Sequence, residues 1–163
     1  MHTLIVYFSL EGNTEYAALE ISNKIKSDMV RLVPKKAYSD KGFSKFFWGG
    51  KSAVMAEAPE LEPCNIDLEE YDQIVLGFPV WAGTFTPPLR TFVQENKELL
   101  LKKRVSAFAC ESGAGAEKAL VKLADCMGIK EFYATTILID PKAKPSEANA
   151  KAIESFSQKL MSK

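Results

Sequence analysis

The chain has 163 residues, 47% of them hydrophobic and 26% charged, which suits one globular domain with a sizeable core. Its 21 Lys and Arg balance 21 Asp and Glu, so it lacks the basic excess that nucleic-acid binding needs and the acidic field that would steer it onto basic partners. Three cysteines without a C-x-x-C (Cys64, Cys110 and Cys126) and a single histidine, His2, expected to be simply solvated, argue against a disulfide framework or a metal site and for a reducing cytoplasm. No apolar run approaches the ~20 residues of a membrane span, and the start of the chain shows no signal-peptide pattern, so neither membrane insertion nor export is expected.

Taken in order, residues 4–8 are continuously apolar and predict a parallel strand buried on both faces. Residues 14–27 place Ala17, Ala18, Ile21 and Ile25 at helical spacing. Residues 29–33 predict a second strand, at an edge because Arg31 stands in its middle. Residues 35–70 break the rhythm and read as an insertion. Within it, 43–55 predicts a helix interrupted near Gly49-Gly50, followed by a loop marked by Pro59 and Pro63. Phe43, Phe46, Phe47 and Trp48 fit either a helix packed over the sheet or a lid or docking patch beside a ligand site. Residues 73–79 predict the third strand, and Thr86-Pro87 opens a helix with Leu89, Phe92 and Val93 inward. Residues 104–110 predict the fourth strand. The helix after it buries Leu120, Leu123, Ala124 and Met127 and stops at Gly128. Residues 132–139 predict a fifth strand, at an edge because of Thr135 and Thr136, and Pro145-Ser146 opens a last helix with Ile153, Phe156 and Leu160 on one face. Strands separated by helices make an α/β fold with a parallel sheet and right-handed crossovers, here a single domain over 1–163.

Three strand ends carry unusual residues. The first is Ser9-Leu10-Glu11-Gly12-Asn13-Thr14, a strand-to-helix turn whose free amides and hydroxyls suit a phosphate. It has neither the Lys-Ser or Lys-Thr of an ATPase loop nor the glycines of a dinucleotide fingerprint. The second is Pro79-Val80-Trp81-Ala82-Gly83-Thr84, and the third is Cys110-Glu111-Ser112-Gly113-Ala114-Gly115. Ligands of such sheets bind outside the carboxyl ends of the strands, at the switch point.

On these residues the chain resembles the short-chain flavodoxin-like proteins over nearly its whole length. Its first loop is similar to the family's phosphate loop, S/T-x-x-G-x-T. The run 77–84 followed by Pro87-Pro88 is similar to the second flavin loop of one branch, and 110–115 to the third. The resemblance implies a three-layer α/β/α sandwich on a five-stranded parallel sheet of order 2-1-3-4-5, the order known for flavodoxin itself, and FMN as cofactor. It implies that the amides of 10–14 with the Ser9 and Thr14 hydroxyls hold the phosphate. Trp81 would lie against the flavin ring, Gly83 would let backbone approach the ring edge, and main chain around 80–84 and 112–115 would read the ring's heteroatoms. Two departures stand out. Glu11 replaces a hydroxyl residue and would repel a phosphate unless it points into solvent, and Cys110-Glu111-Ser112 stands where many flavodoxins place a tyrosine.

The first functional reading is an FMN electron carrier between redox partner proteins, with Glu111 among the carboxylates lowering the flavin's potential; the zero net charge stands against it. The alternative is an FMN-dependent NAD(P)H oxidoreductase of quinones or similar small acceptors, favoured by the missing second aromatic. A third is a binding module that kept the fold without the flavin. Cys110 reads as a small buried hydrophobe.

Overall fold

The computed structural model describes residues 1–37 and 56–162. The expected helix over 43–55, with Phe43, Phe46, Phe47 and Trp48, lies outside the described residues. Five strands form one sheet: β1 (Thr3–Tyr7), β2 (Asp28–Arg31), β3 (Gln73–Pro79), β4 (Arg104–Glu111) and β5 (Thr135–Ile139), in the order β2-β1-β3-β4-β5. Every neighbouring pair is parallel. Four helices are described: α1 (Asn13–Ile25), α2 (Pro87–Leu100), α3 (Ala116–Met127) and α4 (Glu147–Met161), with a single 3-10 turn at Leu68–Glu70. None of them is long and apolar enough to cross a membrane.

The sheet sorts its side chains by the two-residue period of a strand. Leu4, Val6, Ile74, Leu76, Phe78, Ala107 and Ala109 face one core with Leu89, Phe92, Val93 and Leu123 of α2 and α3. Ile5, Val75, Phe108 and Cys110 face the other with Ala17, Ile21, Ile153 and Phe156 of α1 and α4. Central strands buried on both faces must be apolar at successive positions, and β1 is buried at all five. One pair is interlocked across the sheet. Gly77 and Phe108 are register partners, and a Cβ on Gly77 would lie 2.2 Å from Phe108 Cζ. The phenyl ring occupies the volume the glycine leaves.

Boundaries differ from expectation in small, explicable ways. β2 ends at Arg31; Leu32 still donates to the Tyr7 carbonyl at 2.7 Å, and the chain then turns to pair with 60–62. Lys35 N–H reaches Glu60 O at 2.9 Å and Glu62 N–H reaches Val33 O at 2.7 Å, so the two stems of the 35–70 insertion are zipped together beside the sheet edge. Thr86 stands at the N-cap of α2, yet its hydroxyl makes no cap bond and is buried without a partner. Pro88 has no N–H to offer, and the Leu89 N–H already goes to the Thr86 carbonyl at 3.1 Å. His2 is not simply solvated. It precedes β1, so β2 and the segment leading into β3 flank it: its ring stacks on Tyr71 at 4.5 Å, Nδ1 donates to Glu70 O at 2.9 Å, and Nε2 lies 3.2 Å from Asp28 Oδ2.

Candidate functional site

The carboxyl ends of β1, β3 and β4 open into a cleft of 380 Å³, within the size range of small-molecule sites. Among the expected site residues, Ser9, Leu10, Glu11, Asn13 and Thr14 line it from the first loop, Pro79, Val80, Trp81 and Ala82 from the second, and Cys110, Glu111, Ser112, Gly113 and Ala114 from the third. Gly12, Gly83, Thr84 and Gly115 do not line it, and Asp140 does.

The first loop turns at Gly12, whose φ of +96° is open to glycine and strained for other residues. Its N–H goes to Ser9 Oγ at 3.2 Å, and its carbonyl accepts the first helical bond, from Tyr16. The amides of Asn13, Thr14 and Glu15 occupy the first turn of α1, where a helix supplies no acceptor of its own. Thr14 Oγ1 is buried, the residue 1% exposed, with no hydrogen-bond partner of ordinary geometry among the described residues. A desolvated hydroxyl without a partner, on the positive end of a helix and facing a cleft, is suited to an anion. Glu11 is exposed. Beneath the loop, Arg31 Nη2 donates to Ser9 O at 2.8 Å and Nη1 to Glu15 Oε1 at 3.4 Å. The Tyr7 hydroxyl also donates to Glu15, at 3.2 Å. Burial, then the Glu15 charge and hydrogen bond, push the Tyr7 phenol up to about 12 against the pull of Arg31, so it remains a neutral donor.

The second loop is a two-residue hairpin. Trp81 and Thr84 exchange both backbone bonds at 3.0 Å, and the residues between them, Ala82 and Gly83, have φ of +49° and +67°. Positive φ at both central positions is the geometry of the hairpin turn that matches strand twist. Gly83 therefore serves the turn and the packing of the third loop: a Cβ on Gly115 would lie 3.1 Å from the Gly83 Cα. The hairpin is anchored by Val80 N–H to Cys110 O at 2.8 Å. Trp81 is half-buried and packs edge-on to Phe8 at 5.5 Å and 88°, leaving an indole surface on the cleft wall.

In the third loop, the Glu111 carboxylate accepts the Ala116 N–H at 2.8 Å and so caps α3. Its charge is matched to a helix end and is not directed at the cleft alone, which tempers the electrostatic role expected for it. Ser112 donates to Asp140 Oδ1 at 2.8 Å, and Lys144 Nζ lies 3.0 Å from Asp140 Oδ2. The Ser112 hydrogen bond, aided by Lys144 and opposed by burial, holds the Asp140 carboxyl below its ordinary value. Asp140 stands at the end of β5 with φ of +40°. The Asp140-Pro141 pair after a strand was the sequence signal for a fourth loop, but only the sheet order brings that loop beside the third. Cys110 is 5% exposed; burial pushes its thiol up to about 12, with the Thr14 hydroxyl opposing and the Asp140 charge adding to the rise. It is a protonated core residue, not a nucleophile.

The cleft thus offers an anion-binding helix end on one side and, on the other, a flat aromatic wall facing a third loop of small residues. Residues 2–149 match the family model described as Flavodoxin. No curated protein matches the chain. Among solved structures, it is similar to a flavoprotein from Lactobacillus acidophilus NCFM in complex with FMN: TM-score 0.75, 21% identity, 96% of this chain and 98% of that one. The apo-form of the flavoprotein from the same organism gives 0.64 at 24% identity, over 90% of this chain and 97% of that one. Two-electron reduced flavodoxin from Megasphaera elsdenii gives 0.53 at 19%, over 96% and 98%. At these identities the likeness is one of fold.

Proposed function

The chain belongs to the flavodoxin family, and from that premise we propose that it binds FMN in the cleft above β1, β3 and β4 and carries electrons between redox partners. One observation carries this reading: a single cleft pairs the unpartnered, buried Thr14 hydroxyl at a helix N-terminus with the indole wall of Trp81. A phosphate at the first gives that hydroxyl an acceptor, and a flat ring against the second removes apolar surface from water. In this reading the amides of the α1 first turn and the Ser9 and Thr14 hydroxyls hold the phosphate, and Arg31 keeps the loop in shape from below by its bond to Ser9 O. The 80–84 and 112–115 backbone orients the ring, and Asp140 fixes Ser112 beside it. The flavin, when bound, supplies the redox chemistry, while the protein sets its exposure and surroundings.

A second reading is favoured by one further observation. Among the described residues lining the cleft, Trp81 is the only aromatic, so none of them supplies a second ring, and on this reading the opposite flavin face is an opening for a stacking partner. An FMN-dependent NAD(P)H oxidoreductase acting on quinones or similar acceptors would use that opening.

The test is the visible spectrum of the purified protein, followed by titration of the apoprotein with FMN and with riboflavin. Flavin bands with FMN preferred support the proposal. Equal affinity for riboflavin would remove loop 9–14 from it, and binding of neither would leave a flavin-free module. NADH or NADPH oxidation with a quinone, above the rate of free FMN, would favour the reductase over the carrier.

A further inference from the structure

Resting on the FMN reading, we propose that Lys142 is a phosphate-recognition residue: a cation delivered by the loop after β5 to neutralise the ligand's phosphate at the 9–14 loop. Its placement is built. Asn13, the first residue of α1, turns its Oδ1 away from its own helix to accept the N–H groups of Lys142 at 2.9 Å and Ala143 at 3.1 Å. This pins the loop after β5 against the N-terminus of α1. The Lys142 side chain then lies along Gly12, where a Cβ would stand 2.9 Å from its Nζ and 3.4 Å from its Cδ. Its ammonium therefore rests on the same turn that presents the helix amides and the unpartnered Thr14 hydroxyl.

The neighbouring cations are already engaged. Arg31 donates to Ser9 O and Glu15 beneath the loop, and Lys144 pairs with Asp140. Lys142 has no carboxylate partner among the described residues. The partial charge of a helix end is about half an elementary charge, well short of what a phosphate dianion needs. Lys142 adds a full positive charge, carried on an exposed, flexible ammonium that can follow the phosphate.

The experiment compares wild type with Lys142→Gln and Lys142→Arg, each titrated with FMN and with riboflavin at low salt and at high salt. For an exposed pair the expected loss of FMN affinity in Lys142→Gln is about three- to fivefold, with riboflavin affinity unchanged and near-wild-type FMN binding in Lys142→Arg. The difference should shrink in about 0.5 M NaCl, where the screening length falls to a few ångströms. Wild type and Lys142→Gln binding FMN equally well would overturn the inference and leave the FMN reading intact. A parallel loss of riboflavin affinity would also overturn it, because Lys142 would then be shaping the loop and not reading charge. Failure of wild type itself to prefer FMN would overturn the underlying reading instead.

Discussion

At the scale of single residues, Thr14 separates binding from folding. Its hydroxyl is buried without a partner of ordinary geometry, so Thr14→Val removes an unsatisfied group and keeps the shape. The apoprotein's stability should change by no more than ~1 kcal/mol, while FMN affinity should fall by about 1–2 kcal/mol as a charge-assisted bond is lost. Riboflavin titration is the control, and equal losses for both flavins would contradict the phosphate placement. Trp81→Ala should weaken both flavins by about 1–3 kcal/mol, the scale of one aromatic face and its buried area; an unchanged affinity would place the ring elsewhere. Asp140 makes a pH prediction whose sign follows from its lowered folded value. A depressed carboxyl stabilises the native state fully above the unfolded value near 3.8 and loses that contribution as pH falls through the folded one. Asp140→Asn keeps a residue type that tolerates φ of +40°. It should therefore be less stable than wild type in urea at neutral pH, and the gap should narrow as pH falls below about 4. A gap that persists in acid would mean the carboxylate's charge is not what stabilises the loop. Ser9, Thr14 and Trp81 were legible as residue types in a pattern. Asp140 and Lys142 were not, because nothing in their own neighbourhood of sequence says that β5 ends beside the loops of β1 and β4.

At the scale of elements, the central strands were the most readable part of the chain. Strands covered on both faces must be apolar at consecutive positions, and 73–79 was expected with the bounds the structure gives. Edge strands were less sharply read. β2 and β5 are mostly half-buried with exposed ends, and those ends are decided by neighbours: Arg31 turns to Ser9 and Glu15, and the Arg104 guanidinium lies 4.1 Å over the Tyr133 ring ahead of β5. The interlock of Gly77 with Phe108 was invisible in sequence, since the two are 31 positions apart and meet only through sheet register. Gly77→Ala should destabilise by about 1–3 kcal/mol by overpacking, read as a lower urea midpoint. Combining it with Phe108→Leu should recover part of that loss. Full wild-type stability in Gly77→Ala would show that the ring has room to move.

At the scale of the whole molecule, binding and folding are linked through loops that come from strands far apart in sequence. If FMN bridges the ends of β1, β3 and β4, it binds only the folded state. At a hundredfold excess over Kd it should stabilise by about 2.7 kcal/mol, a rise in Tm of roughly 5–10 °C for a chain of this size. Riboflavin at the same multiple of its own Kd should give the same shift, whereas FMN that left Tm unmoved would deny the linkage. The sequence by itself determined the alternation of strand and helix, the two-sided burial of the middle strands and the three loop patterns, because hydrophobic period, turn residues and helix starts are local properties of a chain. Only the tertiary structure decided that the loop after β5 joins the three expected loops and that Gly83 serves a hairpin turn. It alone set Glu111 on a helix end, brought Asp140 to the cleft and laid Lys142 against Gly12. The physical reason is that these outcomes follow from strand order and cross-sheet packing, and a parallel sheet makes neighbours of residues that sequence holds far apart.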